Sequence, residues 1–297
     1  MEQVTFINRK EQESTVSSPA MDYLNIFVRG NRLAKKMIWK NRYFRDLGDI
    51  YSRRISFSEK IRDILSTEVK KSNFKEWSDF PKKIAREHYG IEFPHETPSL
   101  ALQEVFMANI YFSFPEFIPE KGETVVDAGS QYGDYSLLCS KVYGAGKVIS
   151  FEPLEHIYDA FVRAVQMNSV NNIEIHNAAV SSSDSTVEIH NFDGQMGSKF
   201  GNSPTKAVKS VKLDSVVSGQ VDILKIDVEG FEIDALEGAR RIIKENHPKI
   251  IIEVHSRDLK RKTLNLLEEY EYIVIHEGRK AYSTSGHIDM IQNLYLY

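Results

Sequence analysis

Four short stretches carry residues that could do chemistry. Asp127-Ala128-Gly129-Ser130-Gln131-Tyr132-Gly133-Asp134 sets two acids around two glycines. Glu152-Pro153 closes an apolar run. Asp227-Val228-Glu229 and Glu253-Val254-His255 each space two polar groups two residues apart, which puts them on one face of extended chain. Glycines between a strand and a helix let backbone approach a ligand. Carboxylates grouped with an imidazole can move a proton or hold a divalent cation.

These residues need elements to position them. Short apolar runs begin at Thr124, Lys147, Ile173, Val221, Lys249 and Tyr272, and stretches of helical spacing lie between them: 135–143, 154–168, 232–244 and 258–270. Alternation of this kind predicts βαβ units and a doubly wound, mostly parallel sheet. Thr186–Phe192 and Val208–Leu213 read as an extra strand pair, and Asn293–Tyr297 as a last, antiparallel edge strand. Before residue 121 the texture is helical. Ser56-Phe57-Ser58-Glu59 forms a capping box, and Thr97-Pro98 should open a helix through Ile110. The expected organisation is a flexible stretch 1–20, a helical N-terminal region 21–120 and a ligand-binding domain 121–297.

The glycine loop excludes two ligand classes. A triphosphate loop needs four residues between its glycines and then Lys-Ser/Thr; here three separate Gly129 from Gly133, and Asp134 follows. A dinucleotide fingerprint needs glycine two and five positions after the first, where this chain has Gln131 and Asp134. Asp127 and Asp134 instead suit a cationic ligand with an amino acid tail, and S-adenosylmethionine has both features. Glu152 lies 25 residues after Asp127, near the ~20 expected of a strand-end acid that grips ribose hydroxyls. It could equally cap the helix that follows.

At this point the sequence resembles a family. DAGSQYGDYS, FEP, Asn168 with Asn171, NAAV at 177–180, LDS at 213–215, LKIDVEGFE at 224–232 and IIEVHS at 251–256 are similar to the FkbM-type methyltransferases. Where the family usually has Asn, this chain has Gln131. The resemblance spans about 121–256. It implies a class I, Rossmann-like methyltransferase domain, S-adenosylmethionine as donor, and a hydroxyl acceptor, often on a sugar or polyketide. By motif position it assigns Asp127, Gly129, Gly133 and Glu152 to the donor, with Ser130, Gln131, Asp134, Tyr135, Ser136 and Pro153 beside them. Ala178 is expected near the adenine.

The second group falls at the carboxyl ends of expected central strands, where open α/β sheets bind ligands. Asp227, Glu253 and His255 are the catalytic candidates, with Glu229 and Lys225 toward the substrate. His255 is expected to act as base because imidazole titrates near neutrality. A magnesium or manganese ion bridging Asp227, Glu253 and His255 would acidify a hydroxyl. The competing reading makes Asp227 and Glu229 helix caps. Lys225 interrupts an apolar run and could snorkel, pair with an acid or touch substrate. Base-methylating enzymes often carry Asn/Asp-Pro-Pro-Tyr/Phe at the Asp227 position; DVEG there favours an oxygen acceptor.

Net charge is −4, which gives the whole chain no nucleic-acid signature. The single cysteine, Cys139, excludes an internal disulfide and a cysteine zinc cluster. No apolar run approaches the ~18 residues of a membrane span, and residues 1–20 do not read as a signal peptide, so a cytoplasmic setting is expected. From Arg29 to Arg62 eleven Lys or Arg face three Asp or Glu. That stretch could meet an anionic glycan, a membrane surface or another subunit, or dock on the acidic domain. Residues 193–206 read as a loop, either a lid or a plain connection. Three functions compete: an O-methyltransferase on a small-molecule or glycan acceptor, an RNA methyltransferase gripping through the basic region, and a non-catalytic nucleotide-fold protein.

Overall fold

The computed structural model describes residues 4–7, 13–16, 80–106, 109–192, 195–198, 205–278 and 292–297. The capping box at 56–59 and the basic stretch 29–62 lie outside them. The chain divides into two compact units, 1–92 with 98–115, and 93–97 with 116–297.

The described part of the first unit contains an antiparallel pair, Val4–Ile7 with Glu13–Val16, and the helix Phe80–Tyr89. The expected helix from Thr97 to Ile110 is broken. A 3-10 turn, Ser99–Leu102, runs into a four-residue helix, Gln103–Phe106, and Asn109 then takes a left-handed φ of 54°.

The second unit carries β1 (Thr124–Ala128), β2 (Lys147–Phe151), β3 (Ile173–His176), β4 (Ala179–Val180), β5 (Ser185–Phe192), β6 (Gln195–Ser198), β7 (Thr205–Val211), β8 (Ile223–Ile226), β9 (Lys249–Val254), β10 (Val274–Glu277) and β11 (Gln292–Leu296). Its helices are α1 (Asp134–Leu137, continued by a π turn Leu138–Val142), α2 (Glu155–Met167), α3 (Leu213–Val216), α4 (Glu232–Glu237), α5 (Arg240–Asn246) and α6 (Arg257–Glu268). Seven strands form one sheet in the order β10-β11-β9-β8-β1-β2-β3, and β4-β7-β5-β6 form a second. From β9 to β3 neighbouring strands are parallel. Strands such as Ile223–Ile226 and Lys249–Val254 are apolar on both faces because helices cover both, and Leu224, Ile226, Ile250 and Ile252 are fully buried.

The structure alters four expectations. β11 is antiparallel, as expected, but sits one place in from the edge, between β9 and β10. All five of its residues are buried, so the interior position hides what an edge would expose. Part of the 193–206 loop is strand: β6 pairs with β5, and β7 already begins at Thr205. The extra strand pair belongs to the smaller sheet. The single helix expected at 232–244 is two, α4 and α5.

Asp214 explains that break. A Cβ on Gly238 would lie 2.1 Å from the Ser181 carbonyl oxygen, so the chain turns there without a side chain. The Asp214 carboxylate then accepts the amides of Arg241 (2.7 Å) and Ile242 (3.0 Å) and caps α5. Asp214→Ala should cost about 1–2 kcal/mol, read as a lower urea midpoint at unchanged m. A shift below a few tenths of a kcal/mol would show the cap is dispensable.

Candidate active site

Strand order reverses between β1 and β8, since β1 leads on to β2 and β3 while β8 leads on to β9. In open α/β sheets the ligand crevice lies beyond the carboxyl ends at this point. Two non-glycine residues at that edge, Gln131 and Glu229, hold positive φ, each 49°. Strained backbone of this kind gathers at functional sites.

After β1 the chain turns through Gly129 (φ 82°) and Gly133 (φ 80°) into α1. A Cβ on Gly129 would lie 1.7 Å from the Asp227 carbonyl oxygen, and one on Gly133 would lie 1.9 Å from the Phe161 ring. The glycines therefore admit other parts of the protein. Gly129, Gln131 and Pro153 reach the surface of this edge, half-buried.

Several side chains assigned to the donor face inward instead. Asp127 is fully buried, 3.0 Å from the Lys225 amine, and accepts from Ser136 Oγ at 2.5 Å. Ser130 is buried and donates to the Phe151 carbonyl. Tyr135 and Ala178 are in the core. Lys225 matches Asp127, and burial raises Asp134 to about 7, so the loop is less anionic than its residues suggest.

Glu152 ends β2 where a ribose-binding acid is expected. Its carboxylate accepts the Gln131 amide at 3.1 Å and the Leu154 amide at 2.8 Å, so it organises the loop and caps the turn into α2. Burial pushes it up to about 8. A folded-state value above the unfolded one means stability present at low pH and lost as pH rises. The ligand-free protein should therefore lose melting temperature between about pH 4.5 and 8, as Glu152 and Asp134 ionise. Glu152→Gln should flatten that slope in a thermal-melt series; an unchanged slope would remove Glu152 from the account.

The second group closes around His255, which is 1% exposed. Its Nδ1 lies 2.5 Å from Glu232 Oε1, which also accepts the Gly230 amide. Nε2 faces three further carboxylates: Glu229 at 3.3 Å, Glu253 at 3.4 Å and Asp227 at 3.8 Å. It makes no well-formed hydrogen bond to them. Asn293 on β11, the register partner of Glu253, donates to Glu253 Oε2 at 2.9 Å.

The carboxylates shift the histidine. Burial opposes charge on His255, but Glu229, Glu232 and Glu253 outweigh it and raise its pKa well above the usual imidazole value. His255 lies beneath the site. Asp227 and Glu229, whose side chains are 13% and 14% exposed, stand between it and solvent. Burial raises Glu229 to about 7, with the His255 charge opposing. Lys225, expected toward the substrate, is buried and donates to the Gly129 carbonyl at 2.7 Å. Glu232 and Asn293 were missed from sequence. An acid opening a helix reads as a cap, and only folding shows that α4 starts under His255.

A ligand atom from each of Asp227, Glu229 and His255 falls within 4.8 Å of the others, close enough to share one cation. Two carboxylates and a nitrogen suit a hard divalent ion. Glu229 thus takes the place expected for Glu253 in such a set.

A strand order reversing at a glycine loop, an acid ending β2 and a carboxylate–histidine group after β8 and β9 are laid out as in a class I methyltransferase domain. The chain belongs to the FkbM methyltransferase family, whose domain model, described as the Methyltransferase FkbM domain, matches residues 127–287. It is 22% identical over 176 residues to Methyltransferase 1 of Beauveria bassiana, covering 50% of this chain and 67% of that protein. It is 24% identical over 155 residues to the hexuronic acid methyltransferase AglP of Haloferax volcanii, covering 50% and 63%. The crystal structure of a methyltransferase FkbM from Methylobacillus flagellatus superposes with a TM-score of 0.46 at 18% identity, covering 86% of this chain and 60% of that one. The chain thus spans about two thirds or less of these relatives. Among the described residues no helix is long and apolar enough to cross a membrane.

Proposed function

We propose that the chain is an O-methyltransferase whose acceptor is a hydroxyl of a sugar, glycan or other small hydroxylated metabolite. One observation carries the reading. The Asp227 backbone packs directly on Gly129 of the donor loop, which sets a proton-accepting group beside the donor. A hydroxyl must lose a proton on methylation, and a cluster of carboxylates answers that need. One relative is named for a hexuronic acid, a sugar acid, which agrees with this acceptor class.

When bound, S-adenosylmethionine supplies a methyl group already activated on a sulfonium, so the protein's task is positioning and proton removal. Glu152 and the Gly129–Gly133 turn hold the donor at the ends of β1 and β2. Asp227, open to the cleft, receives the hydroxyl proton. His255 lies beneath it, and Glu232 fixes the imidazole through Nδ1. Asn293 holds Glu253 in place. A magnesium or manganese ion held by Asp227, Glu229 and His255 Nε2 would lower the acceptor's pKa.

The test is calorimetric titration with S-adenosylmethionine, followed by a panel of hydroxylated acceptors with and without chelator. Wild type should bind, and Glu152→Ala should weaken binding about 10–100-fold, the loss of one to two hydrogen bonds. Methylation confined to nitrogen acceptors would overturn the oxygen reading. Turnover indifferent to chelator would remove the cation.

A further inference from the structure

Lys225 stands where a doubly covered parallel strand calls for an apolar side chain. Parallel register sets it beside Asp127, and Asp127 beside Ser150. Three buried polar side chains thus form one row across β8, β1 and β2. Ser136 of α1 closes the row, donating to Asp127 Oδ2 and lying 2.9 Å from Ser150 Oγ. The Lys225 amine lies 3.0 Å from Asp127 Oδ1, donates to the Gly129 carbonyl at 2.7 Å and approaches Asp227 Oδ2 at 4.0 Å.

Stability alone is a weak reason for this arrangement, because apolar residues often replace a buried ion pair without loss. Position is a better one. An ammonium has three donors and no acceptor. Here the amine hydrogen-bonds the first glycine of the donor loop, pairs with the acid at the end of the first strand and lies 4.0 Å from the carboxylate proposed to take the acceptor's proton. Gly129 is also the residue that meets the Asp227 backbone. The two halves of the site therefore touch at one peptide, and Lys225 grips it.

We propose that Lys225 is a positioning residue that clamps the donor loop through the Gly129 carbonyl and sets its distance from Asp227. Asp127 and Ser136 serve this clamp as its buried counter-charge and support, rather than as donor ligands. Alignment is worth this investment of structure, since a misplacement of about 1 Å can cost ~10²-fold in rate. The inference rests on the loop being the S-adenosylmethionine site.

The test compares wild type with Asp127→Asn and with the charge-neutral pair Asp127→Asn/Lys225→Met. S-adenosylhomocysteine affinity is measured by calorimetry, folding by circular dichroism, and loop protection by hydrogen exchange of peptides covering 129–137, with 249–254 as control. The double variant should fold, bind at least tenfold more weakly and exchange at least tenfold faster in the loop but not in the control. Asp127→Asn, which keeps the amine on Gly129 but removes its counter-charge, should lose less than the double variant on both readouts, by less than about tenfold. A folded double variant with wild-type affinity and loop exchange would overturn the clamp. So would Asp127→Asn losing loop protection as fully as the double. If the double variant does not fold, Asp127→Asn decides alone: loop exchange less than tenfold faster than wild type supports the clamp, and exchange at least tenfold faster in the loop but not in the control overturns it. If wild type itself fails to bind, the donor reading falls, and loop exchange still decides whether Lys225 holds Gly129.

Discussion

Asp227→Asn should lower kcat by about 10²–10⁴-fold, the usual worth of a positioned general base, while S-adenosylmethionine affinity changes less than about threefold. The substitution keeps the side chain's shape and its hydrogen-bonding oxygen, so the fold should survive it. It removes the capacity to take a proton at neutral pH, and it weakens any cation held with Glu229 and His255. Donor affinity is the control, because the Asp227 backbone, which meets the donor loop, stays in place on substitution. Glu232→Gln should follow the same pattern more mildly, about 10–100-fold in kcat, as expected when the partner that orients a site histidine is changed. Single-turnover rates at saturating donor, with Kd from calorimetry, separate the two quantities. A kcat within tenfold of wild type for Asp227→Asn would move the proton acceptor elsewhere.

Gly129→Ala should be the most damaging small substitution in the donor loop. Two costs coincide. A φ of 82° is left-handed backbone, which an alanine occupies at a cost of about 1–2 kcal/mol. The added methyl would also stand 1.7 Å from the Asp227 carbonyl oxygen. That neighbour is backbone and cannot turn aside as a side chain would. Relieving the overlap means separating β1 from β8 just where Lys225 joins them. The total should reach about 3 kcal/mol or more by the measure of overpacked sites, or roughly a 6–12 °C fall in melting temperature for a domain of this size. Gly219, with φ 83° but open space around its Cβ position, provides the comparison: Gly219→Ala meets the first cost alone. Equal effects at the two glycines would mean that the contact with Asp227 contributes nothing.

The outline was legible from sequence because it depends on local pattern. Apolar runs bounded by turns place β1, β2, β8 and β9, the gap between Gly129 and Gly133 removes triphosphates and dinucleotides, and Glu152, Asp227 and His255 fall at strand ends by counting alone. What the tertiary structure decided depends on which strands lie side by side. Lys225 and Asp127 are about a hundred residues apart, and only parallel register makes them a pair. Glu232 reads as an ordinary helix-opening acid until α4 is placed under β9, where it fixes His255. β11 becomes an inner strand because β10 covers its outer side, and that position brings Asn293 to Glu253. The charge of the site is likewise a property of packing. Burial raises Glu152 and Asp134, and surrounding carboxylates raise the pKa of His255. Residue types and spacing specify which chemistry is available; neighbours across the sheet, and the water they exclude, determine which groups can perform it.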